Sequence, residues 1–336
     1  MNRSTHPGSR PCKHRGRLLA HGTAAAILAM IVGPPSAAGA VPPPSTLVVP
    51  LTVDGEPAAW ARAAVSDRLA PIERLRRLSH ALLAGGRPIA EQAGPTTTAA
   101  EVFRDRRANC VGYATLFVGL AREVGVATYF VLVDGLPGAR GERRGNSLAV
   151  AEGHLAAAYG AGDEVRVFDL AGETPGDRLR VRPITDLAAI AVFYSNRGVE
   201  ALLDGDDEAA VAWLRAAADL EPATLASTWV NLGVALRRTG DHEAANAAYE
   251  HALELDPEGG AAYRNLAALL ALRGDTREAG ALLTTAAALT GLDSLTALEL
   301  ARRRLLEGHV QEARGLYRRA LDLSRAGVSR PPSPRP

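Results

Sequence analysis

Cysteine is scarce in this chain of 336 residues: only Cys12 and Cys110 occur. Cys12 lies in a basic and then apolar leader, so a chain without that leader keeps one thiol and can form no intramolecular disulfide. Lysine is scarcer still. Lys13 is the single copy, and the chain without its leader could not crosslink itself through lysine. Aromatic residues make up 4%, a bias that accompanies an abundance of Ala, Arg, Gly and Leu and carries no functional signal of its own. An excess of one charge is missing too. The formal net charge is +1, and removing Arg3, Arg10, Lys13, Arg15 and Arg17 with the leader leaves 1 − 5 = −4. A mildly acidic balance argues against a nucleic-acid partner. Beyond the leader no apolar stretch approaches the roughly 20 residues that span a bilayer, so the expected mature protein is soluble and lies outside the cytoplasm.

What is present begins with that leader. Five basic residues and no acid occupy the first seventeen positions, followed by the apolar run Thr23 to Val32 and then Ala38-Gly39-Ala40. A basic segment, an apolar segment and an A-x-A site make residues 1–40 a secretory signal peptide; the alternative is an uncleaved N-terminal membrane anchor. No cysteine sits at the cleavage point, which argues against a lipoprotein. Residues 41–56 are proline-rich and read as linker, with Leu47-Val48-Val49 as a possible edge strand. From Pro57 to Ala84 the apolar positions keep helical spacing, as two helices broken at Pro71. His80 in the second is expected to be structural.

Cys110 opens an apolar-periodic run, Val111, Ala114, Leu116, Phe117, Leu120, Ala121 and Val124, which predicts a buried helix ending at Gly125. Asn109 is its expected N-cap. A cysteine in a first helical turn meets the positive end of the helix dipole and unpaired N–H groups, which favour thiolate over thiol. Arg104, Arg106 and Arg107 are expected to add positive potential. Val126 to Val133 is strand-like by its β-branched and aromatic content. A nucleophile of this kind needs a base, and the base an orienting group. His154 starts the run His-Leu-Ala-Ala-Ala-Tyr and Asp169 ends Glu-Val-Arg-Val-Phe-Asp, both strand-like. With Ala161-Gly162 as a two-residue hairpin loop, residues summing to 323 oppose each other, and His154 faces Asp169 at roughly 5 Å between Cβ atoms.

These residues, in this order, resemble the transglutaminase-like superfamily of papain-like thiol enzymes. The resemblance covers about 57–183 and is carried by Thr98-Ala99, Phe103, Arg107-Ala108-Asn109-Cys110, Leu116-Phe117, Ala121-Arg122-Glu123, Gly125, Gly153-His154 and Phe168-Asp169. It implies an α+β fold in which Cys110, His154 and Asp169 form a catalytic triad without a cofactor. Between strand and His lies a stretch, 134–153, rich in Gly and holding Arg140, Arg143 and Arg144. It reads as a long basic loop, either a lid beside His154 or a solvated insertion.

From about Ala191 the sequence repeats at close to 34 residues. Gly198, Gly233, Ala267 and Ala301 align, as do Gly205, Gly240, Gly274 and Gly308 at the expected turns, Ala210, Ala245, Ala279 and Ala313, and Leu214, Tyr249, Leu283 and Tyr317. About four copies over 191–325 resemble the tetratricopeptide repeat, an all-α solenoid of helix pairs. Such a groove holds a peptide or extended chain; the alternative is that the repeats complete or dimerise a compact protein. Asn231 and Asn265, at equivalent first-helix positions, are candidates for hydrogen-bonding a bound backbone. Arg197 replaces the repeat's Leu in the first copy, as a repeat facing the thiol domain would. His242, His251 and His309 lack acidic clusters and make no metal site. Residues 326–336, basic and rich in proline and serine, read as a disordered tail.

The expectation is an exported thiol acyl-transfer enzyme, releasing its acyl group to water as a peptidase or amidase, or to an amine as a transglutaminase, with a protein or peptide partner in the repeat groove. The alternative is an inactive thiol-enzyme scaffold that serves only as an interaction module.

Overall fold

A computed structural model describes residues 50–92, 94–134, 154–221, 223 and 225–327. The expected leader, the possible strand at Leu47-Val48-Val49, the basic loop over 135–153 and residues 328–336 of the tail lie outside the described residues.

Two proline-initiated helices come first, α1 (Glu56–Ala64) and α2 (Pro71–Leu83), each with proline in its first turn, where no N–H is missed. Leu75, Leu78 and Leu82 bury the inner face of α2, while His80 is exposed. A short strand β1 (Ala90–Glu91) pairs in parallel with β2 (Arg107–Ala108), and between them runs α3 (Ala99–Asp105). The start of α3 carries a cap whose residues are local in the sequence. Thr98 and Glu101 form a reciprocal capping box, the Thr98 hydroxyl accepting from the Glu101 N–H and the Glu101 carboxylate from the Thr98 N–H.

Helix α4 (Cys110–Glu123) follows β2 directly and is buried from Val111 through Ala121. It ends two residues before Gly125, whose φ of 74° turns the chain out of the helix. One side of α4 packs on α1 and α3, the other on a five-stranded antiparallel sheet. The strands are β3 (Tyr129–Asp134), β4 (His154–Tyr159), β5 (Arg166–Asp169), β6 (Gly172–Pro175) and β7 (Arg180–Ile184), in the spatial order β6-β5-β4-β3-β7. Phe117 of α4 stacks on Phe168 of β5 at 5.1 Å between ring centroids, which ties helix to sheet.

The remaining helices form four antiparallel pairs: α5 (Asp186–Asp204) with α6 (Asp207–Leu220), α7 (Ala226–Arg238) with α8 (His242–Leu255), α9 (Gly260–Arg273) with α10 (Thr276–Thr290), and α11 (Ser294–Leu306) with α12 (Val310–Gly327). This is the mixed α and β region followed by the helical repeat region that the sequence predicts. Gly205, Gly240, Gly274 and Gly308 stand at the turn within each pair with φ between 82° and 93°, a left-handed conformation costly for any residue with a Cβ. Pairing is close where the repeat demands it. A Cβ on Gly198 would lie 2.4 Å from Leu214, and one on Gly233 would lie 2.3 Å from the ring of Tyr249.

The first pair belongs as much to the sheet domain as to the repeats. Ile190, Val192, Phe193 and Tyr194 of α5 and Trp213 of α6 share one core with α4 and β5. The link expected at 184–190 is taken up by the end of β7 and the first turn of α5, capped by Thr185.

Gly233→Val provides the test of helix-pair packing. The added side chain meets the Tyr249 ring, and overpacking of this kind costs about 1–3 kcal/mol, more than a better helix former returns at the same position. Urea denaturation should show a lower midpoint for the variant; an unchanged or raised midpoint would mean the helices are not held this closely.

Candidate functional site

Cys110 is the first residue of α4 and the one cysteine among the described residues, a free thiol only partly exposed. The Asn109 side chain accepts from the Gly112 N–H at 2.9 Å, the N-cap bond that the sequence predicts. The Asn109 amide donates in turn to the Thr96 hydroxyl at 2.7 Å. Gly112 admits no side chain. A Cβ there would lie 3.0 Å from Val102 and 3.1 Å from the Thr97 carbonyl, so the first turn of α4 is pressed against α3 and its leading loop.

His154 and Asp169 meet, but not by the expected register. β4 and β5 pair Tyr159 with Arg166, Ala158 with Val167 and Ala157 with Phe168, so opposed residues sum to 325 rather than 323. The two-residue loop is wrong: the connection runs over 160–165 and holds a short 3-10 turn at Gly162–Glu164. The Val165 carbonyl accepts from the Gly176 N–H at 2.8 Å, which continues the β5–β6 register one residue beyond Arg166 and Pro175 and commits Val165 to β6. A slip of two preserves side-chain parity where a slip of one would have reversed it. His154 and Asp169 become diagonal neighbours, with His154 Nε2 3.4 Å from Asp169 Oδ2. The other carboxylate oxygen, Oδ1, accepts from the Ala171 N–H at 2.9 Å, which fixes the Asp169 rotamer. Both side chains are largely covered, 16% and 8% exposed.

Burial opposes a charged imidazole at His154. The Asp169 carboxylate and the Cys110 sulfur both favour the cation, more than offset burial and push the His154 pKa up to about 9. His154 thus has both residues as neighbours. Tyr113, one turn along α4, is fully buried; burial above all, and the Asp169 charge as well, push its phenol upward, so it stays neutral beside the carboxylate.

Arg104 pairs with Asp105 at 2.7 Å, Arg106 lays its guanidinium over the rings of Phe103 and Trp60 at 4.2 and 5.5 Å, and Arg107 is exposed. Asn231 and Asn265 are only 2% and 1% exposed, and the Asn265 amide donates to the Ala261 carbonyl of its own helix. Close helix packing covers both, and neither amide is presented to a ligand. Sequence reading also missed Glu200. Its carboxylate accepts from both the N–H and the hydroxyl of Thr96 at 2.7 Å, and Arg197 holds it at 2.8 Å. The signal was Arg197, the residue that breaks the repeat pattern. Among the described residues no cluster of His, Cys, Asp and Glu could hold a metal ion, and no helix is long and apolar enough to cross a membrane.

Comparison with known proteins places two families along the chain. Residues 58–154 match the transglutaminase-like superfamily and residues 226–258 the tetratricopeptide repeat, in that order. The first match contains Cys110 and ends on His154, leaving Asp169 outside it. No curated protein matches the chain. Among solved structures, the crystal structure of MamA is similar at 18% identity and a TM-score of 0.36, over 40% of this chain and 79% of that one. A structure of pilF from Pseudomonas aeruginosa is similar at 23% identity and a TM-score of 0.37, over 40% and 61%. The structure of Cut9–Hcn1 from the APC/C is similar at 22% and 0.38, over 40% of this chain and only 26% of that chain.

Because its neighbours raise His154, the charged form stabilises the folded chain fully below about pH 6.5, and that stabilisation is lost as pH rises through about 9. NMR titration of the imidazole should give a midpoint near 9 in the wild type, lower in Cys110→Ala and lower in Asp169→Asn. An identical midpoint in all three would mean that the neighbours do not act on the ring.

Proposed function

We propose that this chain is an exported thiol acyl-transfer enzyme in which Cys110 is the nucleophile, His154 the general base and acid, and Asp169 the group that orients His154. The observation that carries the reading is the meeting of these three at the start of one buried helix, with His154 Nε2 turned to Asp169 at 3.4 Å. Nδ1 is then the ring nitrogen left for the thiol. A proton passing from sulfur to Nδ1 makes a thiolate and an imidazolium held by Asp169. The thiolate adds to a carboxamide or peptide carbonyl, and the developing oxyanion is met by N–H groups of the first turn of α4, which lack partners within the helix. The imidazolium then protonates the departing amine, leaving a thioester on Cys110. Water activated by His154 releases the acid, or an amine takes the acyl group.

Hydrolysis is the favoured outcome, since no feature dedicated to an amine is visible among the described residues. Export rests on the sequence of residues 1–40, and a protein or peptide partner on the general use of such repeats in protein interaction. A second reading has one observation in its favour. At 3.4 Å His154 Nε2 makes no geometrically sound hydrogen bond, as in a scaffold that has lost its chemistry.

Burst kinetics with p-nitrophenyl acetate separate the two. The enzyme reading predicts that nitrophenolate is released in a burst stoichiometric with protein, absent in Cys110→Ala and slowed about 10²–10⁴-fold in His154→Ala. An added primary amine that speeds turnover would identify acyl transfer. A wild type no faster than Cys110→Ala would leave the scaffold reading.

A further inference from the structure

We propose that Glu200, on the first helix of the repeats, is a positioning residue for Cys110, acting through Thr96 and Asn109. The inference rests on the reading of Cys110 as the nucleophile and goes beyond it, because it assigns part of that site's support to the repeat region.

The direction of every hydrogen in the chain of contacts is determined. Thr96 is 2% exposed and has one hydroxyl proton. A carboxylate only accepts, so the Thr96 N–H and Oγ–H both point at Glu200 Oε1, each at 2.7 Å. The lone pairs of Oγ are thereby turned to the Asn109 amide, which donates to them at 2.7 Å. With its NH2 so committed, the Asn109 carbonyl faces the Gly112 N–H at 2.9 Å and caps α4 across Cys110. An amide flip at Asn109 would set NH2 against the Gly112 N–H at one end and, at the other, a carbonyl against a hydroxyl whose proton is already given away. Glu200 supplies the second of these two penalties.

Glu200 lies 104 positions from Thr96 in sequence. Burial pushes its carboxyl upward, and the Thr96 and Arg197 bonds offset part of that shift. Arg197 is itself only 12% exposed and lies over Trp213 at 5.6 Å. The Arg and Glu are one device, spaced three apart on α5: the cation offsets the cost of burying the anion, and the anion reaches out of the repeats to the loop before the nucleophile.

The test uses the full-length chain and three substitutions, Thr96→Val, Thr96→Ser and Glu200→Gln. Thr96→Val keeps the side-chain shape and removes the hydroxyl; Glu200→Gln keeps the shape and removes the charge that fixes the proton. The readouts are the rate of the p-nitrophenyl acetate burst and the NMR titration of His154, which senses where the sulfur sits. Thr96→Val and Glu200→Gln should each slow the burst about tenfold, the effect of one lost buried hydrogen bond to a charged group, and lower the His154 midpoint. Thr96→Ser should restore most of the rate. Should Thr96→Val fail to fold, Glu200→Gln alone decides. A burst and a midpoint in Glu200→Gln equal to wild type, or a Thr96→Ser as slow as Thr96→Val, would overturn the inference. A wild type without a burst would instead overturn the enzyme reading, and this inference with it.

Discussion

Asn109 is bonded from two sides, to the Gly112 N–H that it caps and to the Thr96 hydroxyl that holds it. Much of the rest depends on that cap. A helix begins where its first unpaired N–H groups find an acceptor, and here the residue next to the cap is Cys110. α4 is then fixed along its length, by Gly112 against α3 and by the stack of Phe117 on Phe168. The same stack seats β5, whose last residue is Asp169, and β4 pairs beside β5 with His154 at its start. Three residues far apart in sequence meet because one helix and two strands are locked in this way. The imidazole sits between two groups that favour its charge, and burial, which by itself would neutralise it, loses to them.

The repeat region is joined to this arrangement and not merely appended to it. Phe193, Tyr194 and Trp213 complete the core under α4, and the partly buried Arg197–Glu200 pair reaches Thr96. Such a pair is weak evidence of stability, because desolvation consumes much of the attraction. Its value here is directional: it dictates which way the hydrogens of Thr96 and Asn109 point. From α7 onward the helix pairs follow the ordinary repeat logic, with Ala245, Tyr249 and Ala252 fully buried where small and large residues alternate.

Much of this was legible in the sequence, and the limits are physical. Periodicity located α4, Asn109 announced its cap, and the recurrent glycines announced the turns of the repeats. Parity put His154 and Asp169 on one side of their strands, yet the register was off by two. Loop length depends on where the Val165 carbonyl finds its partner, and that partner, Gly176, belongs to another turn. The capping box at Thr98 and Glu101 was local and readable. The bond from Glu200 to Thr96 was not, since it joins residues 104 apart; only the odd arginine at 197 hinted that the first repeat had a neighbour. Asn231 and Asn265 illustrate the converse. Equivalent positions in a repeat say that two residues share an environment, not whether that environment is a groove or a core.

The most direct measurement of the central claim is the rate of Cys110 alkylation by iodoacetamide against pH, in the wild type and in His154→Ala. If sulfur and imidazole share a proton, the wild type reacts at least about tenfold faster at neutral pH, and its advantage fades as His154 loses its proton near pH 9. Equal rates at every pH would contradict the account.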